Sequence, residues 1–384
     1  MENGVWARVS SAIRHPFFRI FCVMHFVLCA VSYAAVEDRD RGAGSVEQLQ
    51  MAELKRYYYG DARGGSAAPV TPMAISFYND AVKYFETGEY EIADEAVRES
   101  LQLEARNPLA WELLGEIANL RQDFDKAEEC YKKSYSLNPS PQVRAKLEKL
   151  AKERLIEGKF DTYTEERFVI KYRRDDAQYD GYFLKTLLRD TYREVSRSLG
   201  FYITNKIVVI FYKPEEFRYV TGQPFYIGGI YDGKIRLPAY QKGFREEDLR
   251  AVVAHEMTHA FVAYLSGLRA PAWIQEGLAQ YQENRVRPIP TDMLKAAAAR
   301  SGLIPIDRFL LTNLKPGVDP SGLVIFYQQA FSFTGYLVER FGMYRMKEIL
   351  EEIRKGNDSF TAIEDVLKIS VNRLESEWLA LLQN

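Results

Sequence analysis

Apolar residues recur at helical spacing through two long regions of this chain and at strand spacing in a shorter region between them. Within residues 73–156, Phe77, Ala81, Ala93, Val97 and Ser100 return 34 positions later as Trp111, Gly115, Ala127, Tyr131 and Ser134. The small residues at 81/115 and 93/127 predict helix pairs that pack closely. Residues 142–157 predict a closing amphipathic helix with Val143, Leu147, Leu150 and Leu155 on its apolar side. From Lys159 the pattern changes to strands. Runs at 168–172 and 207–212 are β-branched and aromatic, with an amphipathic helix expected between them from about Tyr179 to Leu199. Gly229-Ile230-Tyr231 and Lys234-Ile235-Arg236-Leu237-Pro238 flank Asp232-Gly233, a strong hairpin signal. Helical spacing resumes at 248–262, a run without Pro or Gly, and again at 270–281 and 327–342. From Met343 amphipathic helices close the chain, with Ile349, Ile353, Val366, Leu367, Leu374, Trp378 and Leu381 as expected core. The fold class is α+β: a mostly helical C-terminal domain with a small sheet ahead of its first long helix, preceded by an all-α repeat module.

The N-terminal pattern is different. Arg8, Arg14 and Arg19 precede an apolar run at 20–36, and Ser32-Tyr33-Ala34 offers small residues where a signal peptidase reads. Residues 1–35 are therefore expected to be an export leader, cleaved near Ala34 or Ala35 or retained as an anchor. The run is short for a membrane span and contains His25. Membrane contact is expected only if the leader is retained, and the product is expected to be periplasmic or secreted. Residues 36–72 read as a linker, with one short helix expected at 45–59 and a flexible stretch around Gly64-Gly65-Ser66. The repeat module then occupies 73–157 and the C-terminal domain 158–384.

Composition excludes little. The 384 residues are 47% hydrophobic and 27% charged, with a net charge of −2. That balance makes no electrostatic case for nucleic acid as a partner. Loss of the leader would leave Cys130 as the only cysteine, so no intrachain disulfide is expected.

The candidate chemistry is concentrated at His255-Glu256-Met257-Thr258-His259. Residues four apart share a helix face, so both imidazoles can reach one point. Two His at that spacing, with Glu after the first, make the H-E-x-x-H arrangement of zinc hydrolases. A catalytic zinc takes three protein ligands, and the helix expected at 270–281 offers Glu276 as the third, with Glu283 two turns further on as the alternative. The segment Trp273-Ile274-Gln275-Glu276-Gly277-Leu278-Ala279 adds a second motif, and Gly277 would let helices approach closely.

Together these motifs resemble the gluzincin metallopeptidases, and among them the peptidase MA-like proteins whose second helix carries Trp-x-x-Glu-Gly-x-Ala. The resemblance covers about residues 160–384 and is densest at 248–283. It implies a peptidase that cleaves peptide or protein substrates with a zinc-activated water. His255, His259 and Glu276 would be its zinc ligands and Glu256 its general base. It also implies an oxyanion donor, for which Tyr327 matches the family pattern and Tyr336 is the alternative. One departure stands out: thermolysin-type members carry an Asp four residues after the ligand Glu, where it steadies a ligand His, and this chain has Gln280.

The second repeat unit, with Trp111-x-x-Leu114-Gly115, Ala127, Tyr131 and Pro139, is similar to a tetratricopeptide repeat. Such units usually bind peptides or proteins, but two of them and a closing helix are few for an independent array, so docking on the neighbouring domain is expected. Two other functions fit the same residues. One is a catalytically inactive binding or assembly factor acting through the repeats; the other is a zinc amidase acting on non-protein amides with the same residues.

Overall fold

The computed structural model describes residues 71–174, 180–224, 227–238, 245–312 and 320–382. The expected leader, linker and short helix at 45–59 lie outside the described residues. Among those described, no helix is long and apolar enough to cross a membrane.

Five helices come first: α1 (Pro72–Glu86), α2 (Tyr90–Leu103), α3 (Pro108–Leu120), α4 (Phe124–Leu137) and α5 (Pro141–Glu157). Prolines at the starts of α1, α3 and α5 suit the helical first turn, whose N–H groups have no intrahelical partner. Asn107 and Ser140 cap α3 and α5 by accepting from backbone N–H groups. α1 packs on α2 and α3 on α4, with α5 against α4. The small residues pick out the contacts: Ala81, Ala93 and Ala127 are fully buried. A Cβ on Gly115 would come within 2.6 Å of the Tyr131 ring. α5 departs from expectation, because Leu155 is exposed while Glu153 and Glu157 are fully buried.

The reason lies in the sheet. Its strands β1 (Asp161–Thr164), β2 (Phe168–Tyr172), β3 (Ile207–Phe211), β4 (Ile230–Tyr231) and β5 (Ile235–Leu237) stand in the order β1-β2-β3-β5-β4. The outer pairs are antiparallel, whereas β2–β3 and β3–β5 are parallel. α6 (Gly181–Leu199) makes the crossover between β2 and β3, and α7 (Pro214–Thr221) follows β3. β1 and α7 went unread in the sequence; every β1 residue is exposed, so no apolar alternation marks it.

The β4–β5 hairpin carries Lys234 and Arg236, each 1% exposed, on one face. α5 supplies their counter-charges. Arg236 donates to Glu153 at 2.7 Å, to Glu157 at 2.6 Å and to Asp232 at 3.1 Å. Lys234 donates to Glu153 at 3.1 Å and to Asn119 of α3 at 2.9 Å, and Lys149 reaches Asp232 at 2.6 Å. Burial alone would raise the Glu153 carboxyl, but Arg236, Lys234 and Lys149 outweigh it and hold it below the ordinary carboxylate value. Stranding one charge of such a buried set typically costs about 3–5 kcal/mol.

The remaining helices are α8 (Glu246–Ser266), α9 (Ala272–Asn284), α10 (Asp292–Ala298), α11 (Ile306–Phe309), α12 (Pro320–Phe341), α13 (Met343–Arg354), α14 (Ser359–Leu367) and α15 (Val371–Leu382). One apolar core joins α6, α8, α9, α12–α15 and the inner face of the sheet. Of the expected C-terminal core, Ile349, Ile353, Leu367, Leu374 and Trp378 are buried, whereas Leu381 is 60% exposed. The repeats also reach the end of α8. Tyr90 packs edge-on to Tyr264, and a Cβ on Gly88 (φ +76°) would overlap the Tyr264 ring. Mostly helical with one small sheet, the molecule has the expected α+β character.

Candidate metal centre

α8 is buried on nearly every side from Asp248 to Ser266, as expected of a helix in the middle of a domain. Glu246, Glu247 and Asp248 sit in its first turn, where acidic groups oppose the helix dipole favourably. Asp248 also accepts from the Arg245 N–H at 3.1 Å, and the helix stops at Gly267 in the left-handed conformation. Within it His255 and His259 lie one turn apart, with ring centroids 4.8 Å from each other.

α9 begins after Pro271 and is pinned by Trp273, whose indole N–H donates to Ser359 at 3.1 Å. Gly277 faces α12: a Cβ there would overlap Thr334 Oγ1 and lie 2.6 Å from the Ala330 carbonyl. The close approach it permits is therefore with α12. The residue before it, Glu276, presents Oε2 at 3.6 Å from His255 Nε2 and 3.8 Å from His259 Nε2. One ligand atom from each of His255, His259 and Glu276 lies within 4.8 Å of the others.

These residues suit a divalent cation. Two imidazoles and one carboxylate are a donor set that zinc accepts. Glu276 Oε2 is buried with no hydrogen-bond partner among the described residues, a costly state for a carboxylate oxygen unless a cation answers it. Burial, followed by the charges of Glu256 and Glu283, pushes the Glu276 carboxyl well above its ordinary value. A cation among the three ligand atoms would reverse that direction. Burial lowers the His255 imidazole to about 3, so it is neutral and ligand-ready at pH 7.

Glu283 does not join the ligand triad. Its Oε2 lies 2.9 Å from His255 Nδ1, and a carboxylate can only accept there, so Nδ1–H donates and Nε2 keeps its lone pair for a metal. Glu283 Oε1 in turn accepts from Arg287 at 2.9 Å, and Arg287 bonds Asp248 at 2.8 Å. The orienting carboxylate missing at Gln280 is thus supplied three residues later. Gln280 instead donates to the Tyr327 carbonyl at 3.2 Å and ties α9 to α12. The sequence held one signal for this: Glu276 and Glu283 are seven apart, on one helix face, with Arg287 four further on. Glu283→Ala should weaken zinc affinity about 10–100-fold, while Gln280→Ala should leave it nearly unchanged. Competitive titration against a chelating dye measures both.

Glu256 is fully buried, and neither carboxylate oxygen has a hydrogen-bond partner among the described residues. Burial chiefly, then the charges of Glu283 and Asp232, raises its carboxyl well above the ordinary value. The backbone leading into β4 passes directly over it. A Cβ added at Gly229 would sit 2.8 Å from Glu256 Cγ and 2.9 Å from its Oε1.

Tyr327 is 1% exposed on α12, the helix that packs against α9. Tyr336 is committed elsewhere, donating to Glu377 at 2.8 Å and accepting from Arg340 at 2.6 Å, which removes it as an oxyanion donor.

Residues 246–384 match the Peptidase MA superfamily. The match begins at the first residue of α8 and supports a metallopeptidase-type domain over the C-terminal part of the chain. Other similarities are short. The chain is 33% identical over 89 residues to the E3 SUMO-protein ligase RanBP2 of Homo sapiens and of Pan troglodytes, 23% of this chain and 3% of either relative. It is 32% identical over 82 residues to RANBP2-like and GRIP domain-containing protein 2 of Homo sapiens, 21% of this chain and 5% of the relative. The chain therefore spans a very small share of these curated relatives. No solved structure matches it.

Proposed function

We propose that the chain is an exported zinc-dependent metallopeptidase, with His255, His259 and Glu276 as metal ligands and Glu256 as general base. The observation that carries this reading is the pairing of the convergent ligand triad with a buried carboxylate that no donor among the described residues satisfies. Zinc, when bound, supplies Lewis-acid polarisation of a carbonyl and lowers the pKa of water. Glu256 would take a proton from the attacking water and return it to the leaving amine nitrogen. Glu283, held by Arg287, keeps His255 in the required tautomer. Tyr327 is the candidate for donating to the oxyanion, a role the family resemblance suggests and its burial beside α9 is compatible with.

The substrate would lie along β4, which ends the sheet among the described residues and packs beside α8. An extended peptide added to that edge passes close to Glu256, because Gly229 leaves no side chain between strand and carboxylate. Export is proposed from the leader pattern at 1–35.

Chelation tests the whole reading. The purified chain should contain near one zinc and cleave an unfolded protein such as casein. Dialysis against a chelator should abolish cleavage, and stoichiometric zinc should restore it. A chain that holds no zinc after reconstitution would overturn the proposal.

A further inference from the structure

Besides the Tyr90–Tyr264 contact at the end of α8, the N-terminal helices meet the domain of the metal centre through the β4–β5 hairpin. β4 pairs with β5 over two residues only, Ile230 with Arg236 and Tyr231 with Ile235. So short a pairing specifies its register weakly by itself, and a slip of one residue would exchange the faces of the strand. The two faces of β5 are chemically opposite. Ile235 and Leu237 enter the apolar core beneath α8, where Val253 and Met257 lie. Lys234 and Arg236 point the other way, into the carboxylates of α5.

Those carboxylates belong to a charged stripe. Lys149, Glu153 and Glu157 recur at four-residue intervals on the face of α5 that meets the hairpin. Glu153 uses both oxygens, Oε1 for Arg236 at 2.7 Å and Oε2 for Lys234 at 3.1 Å. Lys149 grips the turn through Asp232 at 2.6 Å, and α3 closes over it, since a Cβ on Gly233 would meet Leu120 at 2.7 Å. Three residues before Asp232 the same backbone crosses Glu256 at Gly229.

We infer that Glu153, on the last helix of the repeat module, is a positioning residue of the active site: by holding Lys234 and Arg236 it sets where the Gly229 backbone lies on Glu256. The inference rests on the peptidase reading for its catalytic consequence. The repeat module then acts as one wall of the catalytic domain, whatever else it binds. Among the described residues the side-chain bonds of Glu153 go to Arg236 and Lys234 of the hairpin, so its influence passes through the hairpin.

The test compares wild type with Glu153→Gln and Glu153→Asp by three measurements on the full chain. Hydrogen exchange in Glu153→Gln should accelerate in residues 227–238 and remain unchanged in 250–262. Zinc content should stay at the wild-type value. For a peptide substrate kcat should fall by about 10- to 100-fold, as expected for a misplacement of order 1 Å near the chemistry. Glu153→Asp keeps the charge and should restore most of the rate. If Glu153→Gln does not fold, Lys149→Met removes a part-exposed grip on Asp232 and should give the same pattern in smaller degree. Full kcat with a loosened hairpin overturns the inference, and so does exchange that rises everywhere together with loss of zinc. A wild-type chain that holds zinc but cleaves nothing defeats the peptidase reading alone; exchange confined to the hairpin still decides whether Glu153 holds it.

Discussion

Glu256→Gln should hold as much zinc as wild type and hydrolyse peptide at less than about one-hundredth of its rate, because a positioned general base contributes roughly 10²–10⁴-fold. The substitution is close to isosteric, so the contact with Gly229 survives, and an amide has no capacity to accept the proton from water. The buried setting makes the expectation sharp. No donor among the described residues engages either Glu256 oxygen, so the carboxylate is not spent on holding the fold together. Its removal should therefore leave the thermal midpoint unchanged or raised, since a buried carboxylate with no donor is costly to the folded state. Zinc analysis, a melting curve and a cleavage assay on the same preparation read all three quantities. A Glu256→Gln protein with full activity would refute the assigned base.

His259→Ala and Glu276→Ala should lose zinc far more completely than Glu283→Ala. Each of the first two deletes one of three convergent ligand atoms, whereas the third removes a group that only orients His255. Loss of an orienting partner costs about 10–100-fold in affinity, and loss of a ligand should exceed that range. The apo stability of the variants separates the two roles further. Glu276→Ala removes a carboxylate oxygen with no hydrogen-bond partner among the described residues, so it should not destabilise the metal-free protein. Glu283→Ala leaves the His255 N–H without its acceptor and Arg287 with Asp248 alone, and should destabilise it. Retention of zinc in Glu276→Ala would move the third ligand elsewhere.

Much of the architecture was legible along the chain. Helices and strands with one apolar side announced themselves by period: the strand at Phe168–Tyr172, the helix ending at Leu199 and the hairpin about Asp232-Gly233 lie where the pattern places them. Elements lacking that contrast did not. β1 is exposed throughout, and the buried face of α5 is built from charge, so the apolar pattern puts Leu155 on the buried side and carries no signal for Glu153. Burial of Glu153 depends on Arg236 and Lys234, 81 or more positions away, and no local period records such a partner.

The sequence by itself determined what one helix can do alone. Two histidines and a glutamate at fixed spacing share a turn of α8 because helical geometry places them there, whatever surrounds the helix. Tertiary structure decided the rest of the centre. It brought Glu276 of α9 to the imidazoles and kept Glu283 behind His255, assigning different tasks to two glutamates on one face of the same helix. It committed Tyr336 to Glu377, and laid the hairpin under the repeats' buried carboxylates. Each of these choices depends on which helix packs against which and at what distance. Those contacts join residues far apart in the chain, so a pattern read within a few turns does not contain them.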